Sequence, residues 1–354
     1  MGRSLSQPPD PRGLSRRRFL VGTASGVASI LATVGSGVTL GLGLPRCAAA
    51  PPPRKQPRVV LARRPAAIAR DGSGRLVASE VRAAVHAALC RLTGHSDPTR
   101  VMAALFSPGD VVGIKVNCLA GRGASTHPEV VAALVEALRG AGFPAQNIVV
   151  WDRLDRDLRS AGFTPSRSPR AGGGVLEARV LGTNADYEEE PESSGSIGSC
   201  FSRILTRKVT AVISVPCLKD HDLAGVSIGL KNFYGAIHNP NRYHDSNCNP
   251  YIADLFRHPQ VQGKVRLTVC DALLPQCHAG PAYRPAFVFG MGAVLASLDP
   301  VALDRVGLRI IEEQRRSRGL PSLRAAGRDP VWIATAGRYR LGEADLARIQ
   351  EVYT

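Results

Sequence analysis

No two cysteines in this chain are spaced Cys-x-x-Cys, which argues against a ferredoxin-type iron–sulfur cluster and against the usual tetrahedral zinc spacing. Aromatic residues are few, at 5%, so a packed core must be built from Val, Leu, Ala and Ile. The formal charge is +16, yet no basic run is interleaved with aromatics as a base-stacking platform would be. Basic charge alone is a weak warrant for nucleic acid, and nucleic acid is not the expected partner. Internal repeats are absent. The most apolar long stretch, Leu20 to Leu44, is broken by glycines and is a poor spanning helix. Lysine is scarce as well: 6 of the 45 basic residues are Lys and 39 are Arg.

The 354 residues that are present suffice for one large α/β domain or two smaller ones, and a hydrophobic fraction of 44% is ordinary for a globular chain. The N-terminus reads as an address. Ser15-Arg16-Arg17-Arg18-Phe19-Leu20 precedes the Gly-rich apolar run, and Ala48 and Ala50 form an A-x-A cleavage site. The Ser-Arg-Arg-x-Phe-Leu pattern resembles the twin-arginine export signal. Residues 1–50 are therefore expected to be a cleaved signal handled by the twin-arginine translocase, with 51–57 a Pro-rich leader. The mature protein would be periplasmic or extracellular, with no membrane span. Cleavage removes six arginines and one aspartate, leaving a formal charge of +11. Seven cysteines remain, an odd number, so at least one thiol stays unpaired within the chain; Cys270 and Cys277 are near enough in sequence to bridge.

Beyond residue 57, strand-like and helix-like patterns alternate. Strands are expected at 58–62, 110–117, 147–152, 174–181, 209–216 and 264–271, the last two as continuous apolar runs of the parallel-sheet type. Helices are expected at 79–92, 127–142 and 300–315, with two short ones near 329–337 and 343–351. Residues 164–200, rich in Ser, Gly, Pro and Glu, read as a loop-bearing insertion. The expected architecture is α/β, a mainly parallel central sheet flanked by helices, in one domain over 58–354.

Ligands of open α/β sheets bind beyond the carboxyl ends of strands. Lys115 and Asn117 end one strand and project to one side. Lys219 and His221 share a side if their stretch is extended. Asp271 lies at the end of another strand, and Asp299 and Asp304 lie between a strand and a helix. Asp299 before Pro300 also reads as a helix N-cap. Lys115, Lys219 and Lys231 are half of all lysines and sit in apolar or small-residue contexts. In a chain that otherwise writes positive charge as arginine, they look chosen for ammonium chemistry. His238, His244 and Asp245 share an Asn/Pro-rich loop and, with Asp271, form a candidate metal set.

The stretches GIKVN (113–117), HPEVVAALVEALRGAGFPAQNIVVWD (127–152), SVPCLKDHDLAGVSIGLKNFYG (214–235) and LASLDPVALD (295–304) together resemble the domain of unknown function 362 family over about residues 60–315. The resemblance implies no general reaction. Some members carry ferredoxin-like cysteine motifs, which this chain lacks. The family's Lys-Pro-Asn stands here as Lys115-Val116-Asn117. Its Lys-x-Lys-x-His has Cys217 at the first lysine position, leaving Lys219 and His221. The expected function is an exported enzyme acting on a small anionic ligand or cofactor of unknown identity. Lys219, His221 and Lys231 would be catalytic, with His221 as acid/base. Lys115, Asn117, Asn232, Asp299 and Asp304 would bind the ligand. Export by the twin-arginine route favours oxidoreductase chemistry. The alternative is a non-catalytic periplasmic protein that captures a metal or an anionic small molecule.

Overall fold

The computed structural model describes residues 56–169 and 176–354. The expected signal and all but the last two residues of the leader lie outside the described residues.

From the N-terminus, β1 (Arg58–Arg63) leads into α1 (Ala78–Thr93) and α2 (Pro98–Leu105). β2 (Val112–Val116), α3 (Pro128–Gly140) and β3 (Ile148–Asp152) follow, then α4 (Asp155–Ser160) and β4 (Arg179–Gly182). A hairpin of β5 (Glu192–Ser194) and β6 (Ile197–Ser199) precedes β7 (Ala211–Val215), β8 (Cys217–His221) and β9 (Gly225–Ser227). α5 (Tyr251–Phe256) and α6 (Pro259–Gln262) lead to the long β10 (Val265–Gln276) and then β11 (Ala293–Ser297). α7 (Pro300–Ser317), α8 (Trp332–Arg338) and β12 (Gln350–Tyr353) complete the chain.

The main sheet runs β12-β1-β11-β10-β7-β2-β3-β4, with β8 on the far half of β10 and β9 on β8. Pairs β2–β3, β2–β7, β3–β4, β7–β10, β8–β10 and β1–β12 are parallel; β11 is antiparallel to both β1 and β10. The sheet is thus mainly parallel, with helices on both faces, as the sequence pattern implies. Alternate side chains explain the two cores. Val60, Ala62, Ile148 and Val150 pack with α1 and α3 on one face, while Val59, Leu61, Val149 and Trp151 pack with α5, α7 and α8 on the other. Both faces of each central strand are covered, so the strands read as unbroken apolar runs.

Local signals set the helix ends. Pro128 opens α3, and Gly142, at φ +89°, follows it in a conformation that glycine adopts without strain. The Asp299 carboxylate accepts from the Ala302 N–H and caps α7, with Pro300 at its first position.

Four sequence expectations need correction. The strand expected over 264–271 continues to Gln276, because its first half pairs with β7 and its second with β8. Of 174–181, only 179–181 fall in a strand among the described residues, as part of Arg179–Gly182, and 170–175 lie outside them. The helix expected at 343–351 is a single 3-10 turn, Leu346–Arg348, followed by β12. Asp345 caps that turn, and pairing with β1, almost 300 residues away, claims the remainder, which no local window reveals. Cys270 and Cys277 do not bridge; every cysteine among the described residues is a free thiol. Among the described residues no helix is long and apolar enough to cross a membrane.

Candidate functional site

The carboxyl ends of β2, β3 and β8 open into one cavity of about 390 Å³, within the usual range for a small-molecule site. β2 brings Lys115, and Asn117 follows just beyond it. β3 ends on Asp152, and β8 brings Lys219 and His221. The 3-10 segment Lys231–Ala236 closes the floor with Lys231 and Asn232. Lys115, Asn117, Lys219, His221, Lys231 and Asn232, expected from the sequence as catalytic or ligand-binding, therefore converge. Lys219 and His221 share a side because residues 217–221 are extended, and Asp220 between them points the other way.

Part of the floor is already satisfied. The Lys115 ammonium donates to the Asp152 carboxylate at 2.7 Å, to the Val116 carbonyl at 2.7 Å and to the Asn232 side-chain carbonyl at 3.3 Å. It lies 5.4 Å from the centre of the Trp151 ring. The other Asp152 oxygen accepts from the Cys118 N–H at 2.7 Å. The Asn232 amide donates to the Lys115 carbonyl and to the Ser214 hydroxyl. A buried ammonium with three acceptors and a paired carboxylate is a fixed strut rather than a free binding group. Gly235 lets the segment approach it: a Cβ there would lie 2.8 Å from both the Asp152 carboxylate and the Lys115 ammonium.

Two other ammoniums lack such a partner. Lys219 donates to the Asn117 side-chain carbonyl at 2.9 Å and to the Ala124 carbonyl at 2.7 Å, both neutral. Burial lowers its pKa. Lys231 contacts the His244 Nε2 at 3.3 Å and lies 4.2 Å over the Tyr234 ring. Burial brings its ammonium down to about 8. His244 stacks on His221 with ring centres 5.5 Å apart.

The bonds to His221 define its role. Its Nδ1 accepts from the Leu223 and Ala224 N–H groups at 3.2 and 3.3 Å, so the ring proton resides on Nε2. Asp222 lies 3.1 Å from Nδ1 and shares the Leu223 N–H with it, at 2.9 Å; with Nδ1 accepting, the contact is not an ion pair. Burial, and then the Lys231 charge, push the ring far below its ordinary pKa. His221 is therefore a neutral hydrogen-bond donor. A neutral ring so far from its ordinary pKa does not suit the acid/base role expected from the sequence.

Several expected site residues lie elsewhere. Asp299 and Asp304 do not line the cavity. Asp299 is the α7 cap, and it also accepts from the Glu343 N–H. Asp304, fully buried in α7, accepts from the Gly229 and Leu230 N–H groups at 2.6 and 3.0 Å, fixing the turn that presents Lys231. Burial pushes its carboxyl up to about 8, against those two bonds. The folded state thus holds this proton above the unfolded pKa. Its contribution to stability is complete in acid and is lost as pH rises through about 8. Replacing Asp304 with Ala strands two buried N–H groups. It should cost about 2–4 kcal/mol by urea denaturation at pH 7.

The candidate metal set is not assembled. Asp271 pairs with the His127 Nδ1 at 2.7 Å. His238 bonds Ser199 and the Cys200 N–H, Asp245 is exposed, and only His244 lines the cavity. Among the described residues no cluster of three or more His, Cys, Asp or Glu could hold a metal ion. His238, His244 and Asp245 share a loop in sequence, but His238 turns to Ser199 while His244 faces Lys231. The sequence reading missed Asp152, Asp157, Tyr234 and Ser227 in the lining. Asp152 could have been found as the last residue of a strand beside the Lys115 strand. Asp157 has no such signal. Burial, and then Asp152, raise its pKa.

A crystal structure of a Thermotoga maritima protein from a structural genomics consortium is similar at 12% identity and a TM-score of 0.41, covering 69% of this chain and 60% of that one. None of the curated proteins matches the chain. A family model described as "Domain of unknown function (DUF362)" matches residues 112–309, from the strand that carries Lys115 through the helix that carries Asp304. That is more than half of the sequence, and the chain belongs to this family.

Proposed function

We propose that this protein is exported and that its cavity binds an anionic small molecule, held by Lys219 and Lys231. The observation that carries the reading is the Lys231 ammonium, buried against neutral His244 and the Tyr234 face. A buried charge without a counter-charge is costly unless a ligand supplies one. Carboxylates do line the cavity, but each is accounted for. Asp152 belongs to Lys115, Asp157 lies 3.6 Å from Arg156, and Asp222 is mostly exposed at the rim. The neutral His221 Nε2–H would donate to the bound anion, as oxyanion-hole donors do. Lys231, poised near neutrality, would exchange a proton with the ligand during turnover. Export rests on the sequence alone: the Arg16–Arg17 motif, the apolar run after it and the Ala48/Ala50 cleavage pattern.

Titration with inorganic phosphate and with acetate tests the site by calorimetry. Replacing Lys231 with Met should weaken binding at least tenfold at pH 7 while leaving the thermal midpoint unchanged or raised, because a costly buried charge is removed. The groups facing Lys231 are His244, His221, Tyr234, Cys248, Lys219 and Asp222. None of these supplies a buried anion near neutral pH: burial raises the Cys248 thiol and the Tyr234 phenol and lowers both histidines. Lys231 must be charged to hold the anion, so the affinity for acetate, whose own charge is constant over this range, should be nearly flat from pH 7 to about 8 and then fall about tenfold per unit. Affinity that is unchanged in the variant, or flat to pH 10, would remove Lys231 from the site. A substrate turned over by the wild type and bound but unchanged by the variant would establish catalysis over capture.

A further inference from the structure

The cavity has two chemically different ends. Its floor carries Lys219 and Lys231, both buried. Leu119 and Leu223 also line it, yet they are 65% and 48% exposed. They come from different loops, Leu119 just after β2 and Leu223 in the β8–β9 turn. A third exposed apolar group, outside the lining itself, packs on the loop that follows Leu119. The Tyr283 ring, 45% exposed, lies on the Gly123 backbone so closely that a Cβ on Gly123 would be 2.4 Å from it. The next residue, Ala124, gives its carbonyl to Lys219. Pro281, from the same loop as Tyr283, lines the cavity. Single exposed apolar side chains need no explanation, but here two loops bring exposed leucines, and a third brings half-buried Pro281, to one charged cavity.

We propose that the ligand is an amphiphilic anion: a phosphate or carboxylate head bound at Lys219 and Lys231, and an apolar tail leaving between Leu119 and Leu223. This inference rests on the anion reading above and adds the class of ligand. A small inorganic anion would need only the floor. The tail gives the exposed leucines an apolar partner, and each methylene that leaves water should tighten binding about fourfold. A tail half-covered by the rim should gain roughly half of that exponent.

The test is a matched series with the full mature chain. Methyl phosphate is compared with hexyl phosphate, and acetate with hexanoate, by calorimetry below any micelle concentration. The six-carbon anion should bind at least tenfold more tightly than its short partner. Leu119→Ser with Leu223→Ser should erase that gain and leave methyl phosphate and acetate affinity unchanged. Both positions are exposed, so these variants should fold, which circular dichroism checks. Equal affinity across each pair would overturn the amphiphile inference and leave the anion site standing. No binding by any of the four would overturn both. Tighter binding of hexanol than of hexyl phosphate would overturn the charged-head assignment and leave only an apolar pocket.

Discussion

Replacing Asp220 with Ala should destabilise the protein by about 3–5 kcal/mol, the scale for removing one partner of a buried ionic cluster. Asp220 has no exposed surface. It accepts from Arg315 at 3.2 Å, from Arg328 at 3.1 Å to each oxygen, and from the Gly280 N–H at 3.0 Å. Arg315 is fully buried too, and its remaining acceptors, the Cys277 and Pro321 carbonyls and the His278 Nδ1, are all neutral. Without Asp220, two guanidinium groups face each other in the interior with no anion between them. The effect should reach the cavity, because Asp220 anchors the face of β8 opposite to Lys219 and His221. Urea unfolding measures the loss, and phosphate titration measures the consequence. If Asp220→Ala fails to fold, Asp220→Asn, which keeps the shape and removes the charge, should still lower the midpoint. Adding Arg315→Met to Asp220→Ala should recover part of the stability. A change under about 1 kcal/mol in Asp220→Ala would show that the arginines find other partners.

The second large effect is expected at the strut. Asp152→Ala should cost about 3–5 kcal/mol, because it strands the Lys115 ammonium and the Cys118 N–H together. Lys115→Met should cost less, since the remaining Asp152 keeps the Cys118 bond and lines the cavity. The double variant Lys115→Met, Asp152→Leu should be closer to wild type than Asp152→Ala alone, because a buried pair exchanged for apolar groups of similar size loses its desolvation cost as well as its attraction. A double-mutant cycle by urea denaturation gives the coupling directly. Additive single effects would mean that the 2.7 Å contact contributes no coupling. If Lys115 were instead a free binding group, Lys115→Met would abolish phosphate binding while leaving stability intact.

This division of the lysines was only half legible. Their scarcity and their apolar contexts marked Lys115, Lys219 and Lys231 as a set. Nothing in the spacing separated the strut from the free ammoniums, because that depends on which carboxylate lies opposite. Lys115 and Asp152 are 37 residues apart and meet only because β2 and β3 are parallel neighbours. Asp304 looked like a site residue by its motif, Asp-Pro-Val-Ala-Leu-Asp. The structure turns it toward two backbone N–H groups 74 and 75 residues earlier. The shared loop of His238, His244 and Asp245 suggested a metal, but proximity in sequence did not become proximity of side chains.

The sequence by itself determined the elements and the chemistry available. The alternation of apolar strands and amphipathic helices follows from local periodicity and burial on two sheet faces, and capping by Asp299 and Pro300 follows from orphan N–H groups at a helix start. The extended Lys-x-His stretch also followed locally, since alternate residues of a strand share a side. The tertiary structure alone decided which groups are free. Charge pairing, desolvation and hydrogen-bond direction depend on residues brought together across 37 to 117 positions of chain, as in the bonds from Lys115 to Asp152 and to Asn232. That is why Lys115 became a strut, His221 a neutral donor, and Lys231 an ammonium with no carboxylate partner.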